Sequence, residues 1–487
     1  MQPYPWIIVT NMVLPIFERV AQQVRFGNFY IYAANIALPA LNGDGLLIDV
    51  DDGFVTTITT SALAGRGAHN IADVTHICIS TSQVSVHTSL LNATPVFLAL
   101  DHQGAWFVLG TDLVITAVAL QTLSGHPLPL LPGAGVVRGS ASSVEGIQRF
   151  EHATSLSLYV EQERWRTSII RHPDTLLVPK FHQEVLTDPT VAGEAQLNAL
   201  TCAITESITG FSRSAVFVSG GVDSGLVAAI ASNSSIPLTA YTIGTPWGNE
   251  FEHATELADA LKVPLIKITL SEEELLAALP ETIRALGHAE PEVVDIALTF
   301  TAFFRGRYAQ ESLILTGYGS DLINSGMSTG GKAPENIDKQ VIDVIHQTRY
   351  SSEFSTVVAR AYGYTLIHPF WDLRVMEVAL RTSGKAKIAG GREKGHLRTI
   401  ASTLLPQVVA WRSKTAIHHG NGLAIGLGNK IENSTGRKVN KASFYRSLLA
   451  ELIDAACIDP FLSVVPLEMY ERAVSTALRV DVSSSIK

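Results

Sequence analysis

Short apolar runs separated by Gly, Asn and Asp dominate roughly the first 170 residues of the chain. Because these runs are rich in β-branched and aromatic residues, they predict strands rather than helices. Residues 94–100 and 105–109 flank the turn-forming tetrad Asp101-His102-Gln103-Gly104, which predicts a β-hairpin, followed by a helix over 111–123. The pattern predicts further strands at Trp6–Val9, Phe29–Ala34, Gly45–Val50, Phe54–Thr59, Val84–Ser89 and Leu156–Val160.

The pattern changes near residue 190, where apolar runs begin to alternate with amphipathic stretches. Residues 172–192, which contain Pro173, Pro179, Asp188 and Pro189 and are followed by Gly193, predict a linker, followed by a helix over 194–208. Strand-like and helix-like segments that alternate are typical of a parallel α/β sheet, and the chain beyond residue 321 is mainly helical in pattern. The predicted strands are Ala215–Val218, Leu238–Ile243, Pro264–Leu270 and Leu313–Thr316, with helices over Asn249–Leu261 and Ser271–Leu279.

The first of these strands ends in the string Ser219-Gly220-Gly221-Val222-Asp223-Ser224, after which a helix is predicted. A glycine turn that leads into a helix exposes backbone N–H groups to an anion, and the helix dipole adds partial positive charge. No lysine follows the glycines, so the string is not a P-loop. Asp223 suggests instead that a metal ion such as Mg²⁺ supplies the positive charge. A bare pair of glycines would more often be an ordinary strand–helix turn.

A second glycine-rich string, Gly317-Tyr318-Gly319-Ser320-Asp321, follows the strand predicted at 313–316. Loops after parallel strands open at the same edge of the sheet, which is where such sheets bind ligands. We therefore expect the two strings to face one site.

Composition narrows the class of protein. The chain has 487 residues, of which 46% are hydrophobic and 17% charged, so it can bury large cores. The net charge is 36 − 45 = −9 and there is no long basic run, so we expect no nucleic-acid partner. The three cysteines lack disulfide or zinc spacing. Without a signal peptide or a long apolar run, we expect a cytoplasmic protein without a membrane partner; the sequence leaves a homo-oligomer open.

Six strings in register make a family resemblance specific. The chain resembles the asparagine synthetase superfamily, and most of all its β-lactam and carbapenam synthetases, strongly over about 195–425 and only in outline before that. The strings are 219–224, 242–245 with 249–252, 315–321, Thr348-Arg349 with Glu353-Phe354, His368-Pro369-Phe370-Trp371, and Trp411-Arg412-Ser413-Lys414-Thr415-Ala416-Ile417-His418.

The resemblance implies an α/β protein of two domains. Residues 1–185 would form a degenerate glutaminase-like domain, an αββα sandwich of the Ntn-hydrolase type. Residues 186–487 would form a parallel-sheet ATP pyrophosphatase domain with a helical C-terminal part.

The resemblance also implies a nucleotide site that uses ATP and Mg²⁺. Ile243 and Gly317 would contact the adenosine through backbone groups, and Asp223 and Asp321 would bind Mg²⁺. The residues implied to bind the nucleotide are Ser219, Gly220, Gly221, Asp223, Ser224, Ile243 and Gly317.

Three further residues have implied catalytic roles. Tyr318, paired with Glu353, would take a proton from the attacking amine, which suits a tyrosine of ordinary pKa ~10. Lys414 would stabilise negative charge in the tetrahedral intermediate. The alternatives stay open: Tyr318 as a packing aromatic, Glu353 as a solvated carboxylate and Lys414 as a surface charge.

The chain departs from its relatives at three places. Gln2 stands where glutamine-dependent members have a nucleophilic cysteine, so we expect no glutamine hydrolysis. Gly225 replaces a small hydroxyl or alanine residue. His419 replaces a glutamate of the β-lactam synthetases, which leaves the substrate open.

The function predicted from these strings is an ATP-dependent ligase that adenylates a substrate carboxylate and closes it onto an amine of the same substrate. The substrate would be an amino-acid-derived small molecule, or a precursor peptide if the enzyme is a lasso-type macrolactam synthetase. An ammonia-using, asparagine synthetase-like amidation is a further alternative. A non-catalytic nucleotide-binding scaffold is the alternative from another class.

Overall fold

The computed structural model describes most of the chain. The described residues are 6–18, 21–34, 45–49, 54–58, 75–80, 82–88, 94–130, 142–150, 154–171, 184–326, 333–348, 356–413, 417–436, 438, 440–462 and 466–484.

The N-terminal part contains two antiparallel six-stranded sheets that pack face to face. The first has the strand order β10-β8-β9-β1-β3-β2 and the second the order β12-β11-β7-β6-β4-β5. The strands are β1 Trp6–Thr10, β2 Gln22–Phe26, β3 Phe29–Ala34, β4 Gly45–Asp49, β5 Phe54–Ile58, β6 His76–Ser80, β7 Gln83–His87, β8 Phe97–Leu100, β9 Phe107–Gly110, β10 Ile147–Arg149, β11 Thr154–Glu161 and β12 Arg164–Arg171.

Strand β1 shows why the two sheets form a sandwich. Its five residues are all buried, and Ile7 and Val9 face the core between the two sheets. Trp6 and Ile8 face the opposite side, where helix α1 (Leu113–Ser124) covers the first sheet. The predicted sandwich is therefore confirmed, with one of the two predicted helix layers inside the described residues. Strands β2 and β12 escaped prediction because they are edge strands without clear apolar alternation, and the interior strand β6 was not predicted either.

The C-terminal part is built on a parallel five-stranded sheet, as predicted. Its order is β15-β14-β13-β16-β17, and every neighbouring pair is parallel. The last strand was not predicted, since three residues carry little pattern. The strands are β13 Ser214–Phe217, β14 Leu238–Gly244, β15 Leu265–Thr269, β16 Leu313–Leu315 and β17 Thr365–Ile367.

Helices cover both faces of this sheet and make up most of the chain beyond it. They are α2 Pro189–Ser207, α3 Val222–Ser232, α4 Phe251–Leu261, α5 Glu272–Leu286, α6 Pro291–Arg305, α7 Ser320–Ile323, α8 Pro334–Thr348, α9 Thr356–Ala361, α10 Leu373–Arg381, α11 Gly384–Lys387, α12 Gly395–Ala401, α13 Gln407–Ala410, α14 Ile417–Gly420, α15 Leu423–Thr435, α16 Lys441–Ile458 and α17 Pro466–Ser484. Among the described residues, no helix is both long and apolar enough to cross a membrane.

Helix α2 begins earlier than predicted, so the linker prediction is wrong at its end. Asp188 caps the helix by accepting N–H bonds from Thr190 and Val191 at 2.8 and 3.0 Å, and Pro189 occupies the first turn. Gly193 lies inside the helix, where a Cβ would come within 2.6 Å of the His396 carbonyl oxygen. These residues therefore serve helix start and close packing, not a linker.

Helix α5 joins the two parts of the molecule. It continues past Pro280 to Leu286, beyond the predicted end at Leu279, because its last turns bury Ile283 and Leu286 in a core shared with α1. Arg284 donates to the Asp112 carboxylate across the interface at 2.7 Å. Arg149 of the N-terminal part donates to the Leu286 carbonyl at 2.9 Å.

Candidate active site

The two glycine-rich strings meet where the strand order of the parallel sheet reverses. Strand β13 runs between β14 and β16, so the loops that follow β13 and β16 leave the same edge side by side. They approach closely: a Cβ on Gly317 would lie 2.6 Å from the Ser224 backbone nitrogen. Only glycine fits there, and this edge is the usual ligand site of such sheets.

The first loop is shaped to expose backbone donors. Gly220 has φ of 75°, and a Cβ there would come within 2.4 Å of the His253 carbonyl oxygen. Gly221 is the N-cap of α3 and has no side chain to cap the first turn. The N–H groups of that turn are consequently available to an anion. The Ser224 hydroxyl accepts from the Ser219 N–H at 3.3 Å and closes the loop on itself.

Two carboxylates from the two loops converge on one cation. The Lys394 ammonium lies 2.5 Å from Asp223 Oδ2 and 2.5 Å from Asp321 Oδ1. The Lys394 side chain is fully buried, whereas 25% of the Asp321 side chain is exposed. Gly326 makes room for this arrangement, since a Cβ there would lie 2.0 Å from Asp321 Oδ1.

This convergence is what a metal site needs. Two carboxylate oxygens directed at one position fit Mg²⁺, which takes one or two protein carboxylates and completes its shell with phosphate and water. The described residues contain no cluster of three or more His, Cys, Asp or Glu side chains placed for a metal. Lys394 itself has φ of 58°, a backbone conformation that non-glycine residues seldom adopt and that recurs at functional sites.

Two arginines line the cleft beside the first loop and hydrogen-bond to the segments that form it. Arg412 donates to the Ser219 carbonyl at 2.7 Å and to Glu250 Oε1 at 2.7 Å, which fixes the loop from outside. Arg398 donates to the carbonyls of Ala410 and Arg412 at 2.9 and 2.8 Å, which fixes the segment carrying Arg412. The cleft is lined by Ser219, Gly221, Val222, Asp223, Glu250, Lys394, Arg398, Arg412 and Ser413.

Tyr318 lies on the second loop, half-buried against aromatic neighbours. Its ring packs edge-on to His368 at 5.1 Å between centroids and lies 6.0 Å from the ring of Trp371. Its N–H donates to Thr316 Oγ1 at 3.1 Å, and that hydroxyl is hydrogen-bonded to His368 Nδ1 at 2.7 Å. The string around His368 thus supports the loop that carries Tyr318.

The structure places most of the predicted nucleotide and metal residues together, and two predicted catalytic residues lie outside the described part of the chain. The nucleotide and metal residues of the two loops, Ser219, Gly220, Gly221, Asp223, Ser224, Gly317 and Asp321, all lie at the switch point. Ile243 is buried near the end of β14, two residues past Tyr241, whose carbonyl accepts from Val218. Glu353 and Lys414 lie outside the described residues, so their roles stay predictions.

Sequence reasoning missed Lys394 and the residues behind it. Lys394 sits in Arg392-Glu393-Lys394-Gly395-His396, a polar stretch that looks like surface in the sequence, although Lys394 and His396 are fully buried. Burial, with the positive charges of Lys387 and Lys394, lowers the pKa of His396 to about 3. The unusual Gly225 has a packing reason: a Cβ there would lie 2.9 Å from Leu405 Cδ1.

Comparisons with known proteins match the C-terminal part of the chain. The family model described as asparagine synthase matches residues 197–356 and 354–464. Over 224 residues the chain is 32% identical to the carboxyethyl-arginine beta-lactam-synthase of Streptomyces clavuligerus, covering 46% of this chain and 44% of that protein. It is 25% identical over 265 residues to a putative glutamine-hydrolyzing asparagine synthetase of Methanocaldococcus jannaschii, covering 46% and 48%.

These matches span less than half the length of either relative. Among solved structures, the NMN synthetase from Francisella tularensis aligns with 60% of this chain and 96% of its own at 13% identity and a TM-score of 0.28, an overlap that carries no functional weight.

Proposed function

Because this chain belongs to the asparagine synthase family, we propose that it is an ATP- and Mg²⁺-dependent carbon–nitrogen ligase that forms a small lactam. One observation carries the proposal. Asp223 and Asp321, from two neighbouring strand-end loops, point at one cation position beside a glycine loop that opens into helix α3. That arrangement suits the triphosphate of ATP with its metal.

The residues of the cleft have separable tasks in this proposal. The first turn of α3 and the loop before it hold phosphate oxygens through backbone N–H groups. Asp223 and Asp321 would hold Mg²⁺, which neutralises phosphate charge when bound. Lys394 neutralises both carboxylates and lines the same cleft. Arg412 keeps the loop in place through the Ser219 carbonyl.

The reaction has two steps. A substrate carboxylate oxygen attacks the α-phosphorus of ATP and pyrophosphate leaves. An amine of the same substrate then attacks the acyl carbon and AMP leaves. The amine proton passes to the Tyr318 oxygen while the Tyr318 phenol proton passes to the Glu353 carboxylate. Lys414 is proposed to stabilise the negative charge of this second step. The likeness to a β-lactam synthase supports ring closure, whereas the likeness to asparagine synthetases supports only the family chemistry.

The test is pyrophosphate release from Mg-ATP with β-amino acids, pyrrolidine-type amino diacids and linear precursor peptides as substrates. We expect turnover without added ammonia and a product lighter than the substrate by one water. Turnover that needs ammonia would indicate amidation, and a macrocyclic peptide product would indicate the lasso-type reaction. ATP binding without any turnover would favour a scaffold.

Tyr318→Phe tests the proposed base. We expect ATP–pyrophosphate exchange to survive, while ring closure slows by roughly 10²-fold or more, since a positioned base contributes about that much. Tyr364→Phe is the matched control, because its hydroxyl donates to the Ala309 carbonyl at 3.0 Å away from the cleft. An unchanged closure rate in Tyr318→Phe would remove the tyrosine from its role.

A further inference from the structure

A chain of buried polar side chains runs from helix α2 to the Asp223 carboxylate. Ser320 Oγ donates to Asp223 Oδ1 at 2.6 Å, and Asn324 Nδ2 lies 3.3 Å from Ser320 Oγ. His396 Nε2 lies 3.2 Å from Asn324 Oδ1 and 2.8 Å from Gln196 Oε1. Four of these residues, Gln196, Ser320, Asn324 and His396, have no solvent exposure at all.

The hydrogen bonds in this series of buried side chains all run in one direction, and His396 sets that direction. Its Nε2 faces two carbonyl oxygens, so this nitrogen carries the proton and donates. Asn324 therefore accepts through Oδ1 and presents its Nδ2 as a donor to Ser320. The Ser320 hydroxyl, supplied with a donor on one side, gives its own proton to Asp223 Oδ1. Every bond after His396 thus points toward the carboxylate.

The surrounding packing shows that this polar chain is costly to keep. Gln196 Nε2 and His396 Nδ1 are buried, and neither has a hydrogen-bond partner among the described residues. An unpaired buried polar group costs about 1–3 kcal/mol, which an apolar pair would avoid. Despite this cost, helix α2 packs closely against α12 at Gly193, one turn before Gln196, so the two polar side chains are pressed together. A well-packed apolar contact would give more stability, so stability alone does not explain why these polar side chains are buried here.

We infer that His396 is a positioning residue that acts through Asn324 and Ser320 to hold the Asp223 carboxylate in its metal-binding orientation. With Oδ1 engaged by Ser320, rotation of the carboxylate is restricted and Oδ2 stays directed at the position shared with Asp321. The inference rests on the proposed function only in taking Asp223 as a ligand of the nucleotide-bound metal. Groups that orient metal ligands in this way typically contribute about 10- to 100-fold to metal affinity or activity.

The experiment measures binding of Mn²⁺ with a non-hydrolysable ATP analogue, by electron paramagnetic resonance, to the full-length chain. We expect His396→Leu to weaken Mn²⁺ binding by about tenfold or more. His396→Gln should restore much of that affinity, because a glutamine amide can donate to Asn324 Oδ1. His288→Leu, which replaces another buried histidine outside the cleft, is the matched control and should bind Mn²⁺ normally.

Ser320→Ala keeps the test decisive if His396→Leu does not fold. It removes the donor to Asp223 Oδ1 without opening a large cavity, and we expect the same loss of Mn²⁺ affinity. In turnover assays, both variants should need more Mg²⁺ while the KM for the acid substrate stays the same. Equal Mn²⁺ affinity in wild type, His396→Leu and Ser320→Ala would overturn the inference, and so would a His396→Gln variant no better than His396→Leu.

The two hypotheses fail separately. Weakened Mn²⁺ binding without turnover of any acid would leave the positioning role standing and reject the ligase. Turnover with unchanged metal affinity in the variants would keep the ligase and reject the positioning role.

Discussion

Two buried ion pairs in this protein look alike at first. Asp112 pairs with Arg284 at 2.7 Å across the interface between the two parts, and Asp223 pairs with Lys394 at 2.5 Å beside the glycine loop. Each joins segments more than 170 residues apart, and each aspartate lies at the start of a helix. Burial and charge pairing alone do not separate one from the other.

Their surroundings do. One Asp112 oxygen caps α1 by accepting from Ile115 at 3.2 Å, and the other accepts from Arg284, within a continuous apolar core. Asp223 instead lines a cleft, and its cation is shared with a second carboxylate from another loop. A carboxylate that is enclosed with its arginine among core residues ties elements together. Carboxylates that converge from two loops at a cleft are the basis of the metal site proposed above.

Asp223→Asn should produce the largest change in activity. The substitution keeps the side-chain shape and an acceptor for Ser320, but it removes one of the two charges directed at the metal position. Because metal clamps on phosphoryl groups contribute several kcal/mol, we expect ATP–pyrophosphate exchange to fall by at least about 100-fold. Exchange at saturating Mg²⁺ is the measurement, with folding checked by circular dichroism.

Asp112→Asn is the control that could break the comparison. Breaking a buried ion pair should lower the free energy of unfolding by roughly 3 kcal/mol, which urea denaturation would measure. Exchange per folded molecule should stay at the wild-type rate. A large loss of exchange in folded Asp112→Asn would mean that the interface pair also serves the reaction.

Gly326→Ala tests the convergence itself without removing a charge. The new Cβ would meet Asp321 Oδ1 at 2.0 Å and Lys394 Cε at 2.5 Å, so the two groups must separate. We expect exchange to drop by about 10-fold or more and the Mg²⁺ requirement to rise, by analogy with the loss of other orienting contacts. Titration of the exchange rate with Mg²⁺ gives both quantities.

Gly428→Ala is the matched glycine in helix α15. There the nearest heavy atom to a new Cβ is Lys441 Cε at 3.7 Å, an ordinary contact. Alanine should stabilise this helix by up to about 1 kcal/mol and leave exchange unaltered. If Gly326→Ala behaved in the same way, the close approach of Asp321 and Lys394 would have no role.

Patterns in the sequence predicted the features that depend on local chemistry. The strand and helix alternation gave the parallel sheet, and the two glycine-rich strings marked the loops at its switch point. Lys394 could not be found in this way, since a lysine in a polar stretch is usually exposed. Its burial depends on how α12 packs against α2 through Gly193, a contact between segments about 200 residues apart. Strand β2 was missed for the related reason that edge strands need no apolar alternation.

Lys387 sharpens the comparison, because it is a second buried lysine in the same region as Lys394. Lys394 forms ion pairs with two carboxylates, whereas the negative charge that acts on Lys387 is that of Asp338, an exposed residue. Burial, only partly offset by Asp338, lowers the pKa of Lys387 to about 8 from 10.5. Between about pH 8 and pH 10.5, Lys387 holds a proton in the unfolded chain that it has released in the folded chain. The contribution of Lys387 to the free energy of unfolding therefore rises with pH across this window.

Lys387→Met should remove this alkaline gain. Below pH 8 the variant should be the more stable protein, since it buries no charge. We expect wild type to recover about 2 kcal/mol relative to the variant between pH 7.5 and pH 9.5, at roughly 1.4 kcal/mol per pH unit above the folded pKa. Urea denaturation of both proteins at the two pH values is the measurement, and Lys385→Met, an exposed lysine on the same helix, is the control. If the free energy of unfolding changed with pH in the same way in wild type and Lys387→Met, the folded protein would keep Lys387 charged. In that case the absence of a paired carboxylate would not set Lys387 apart from Lys394.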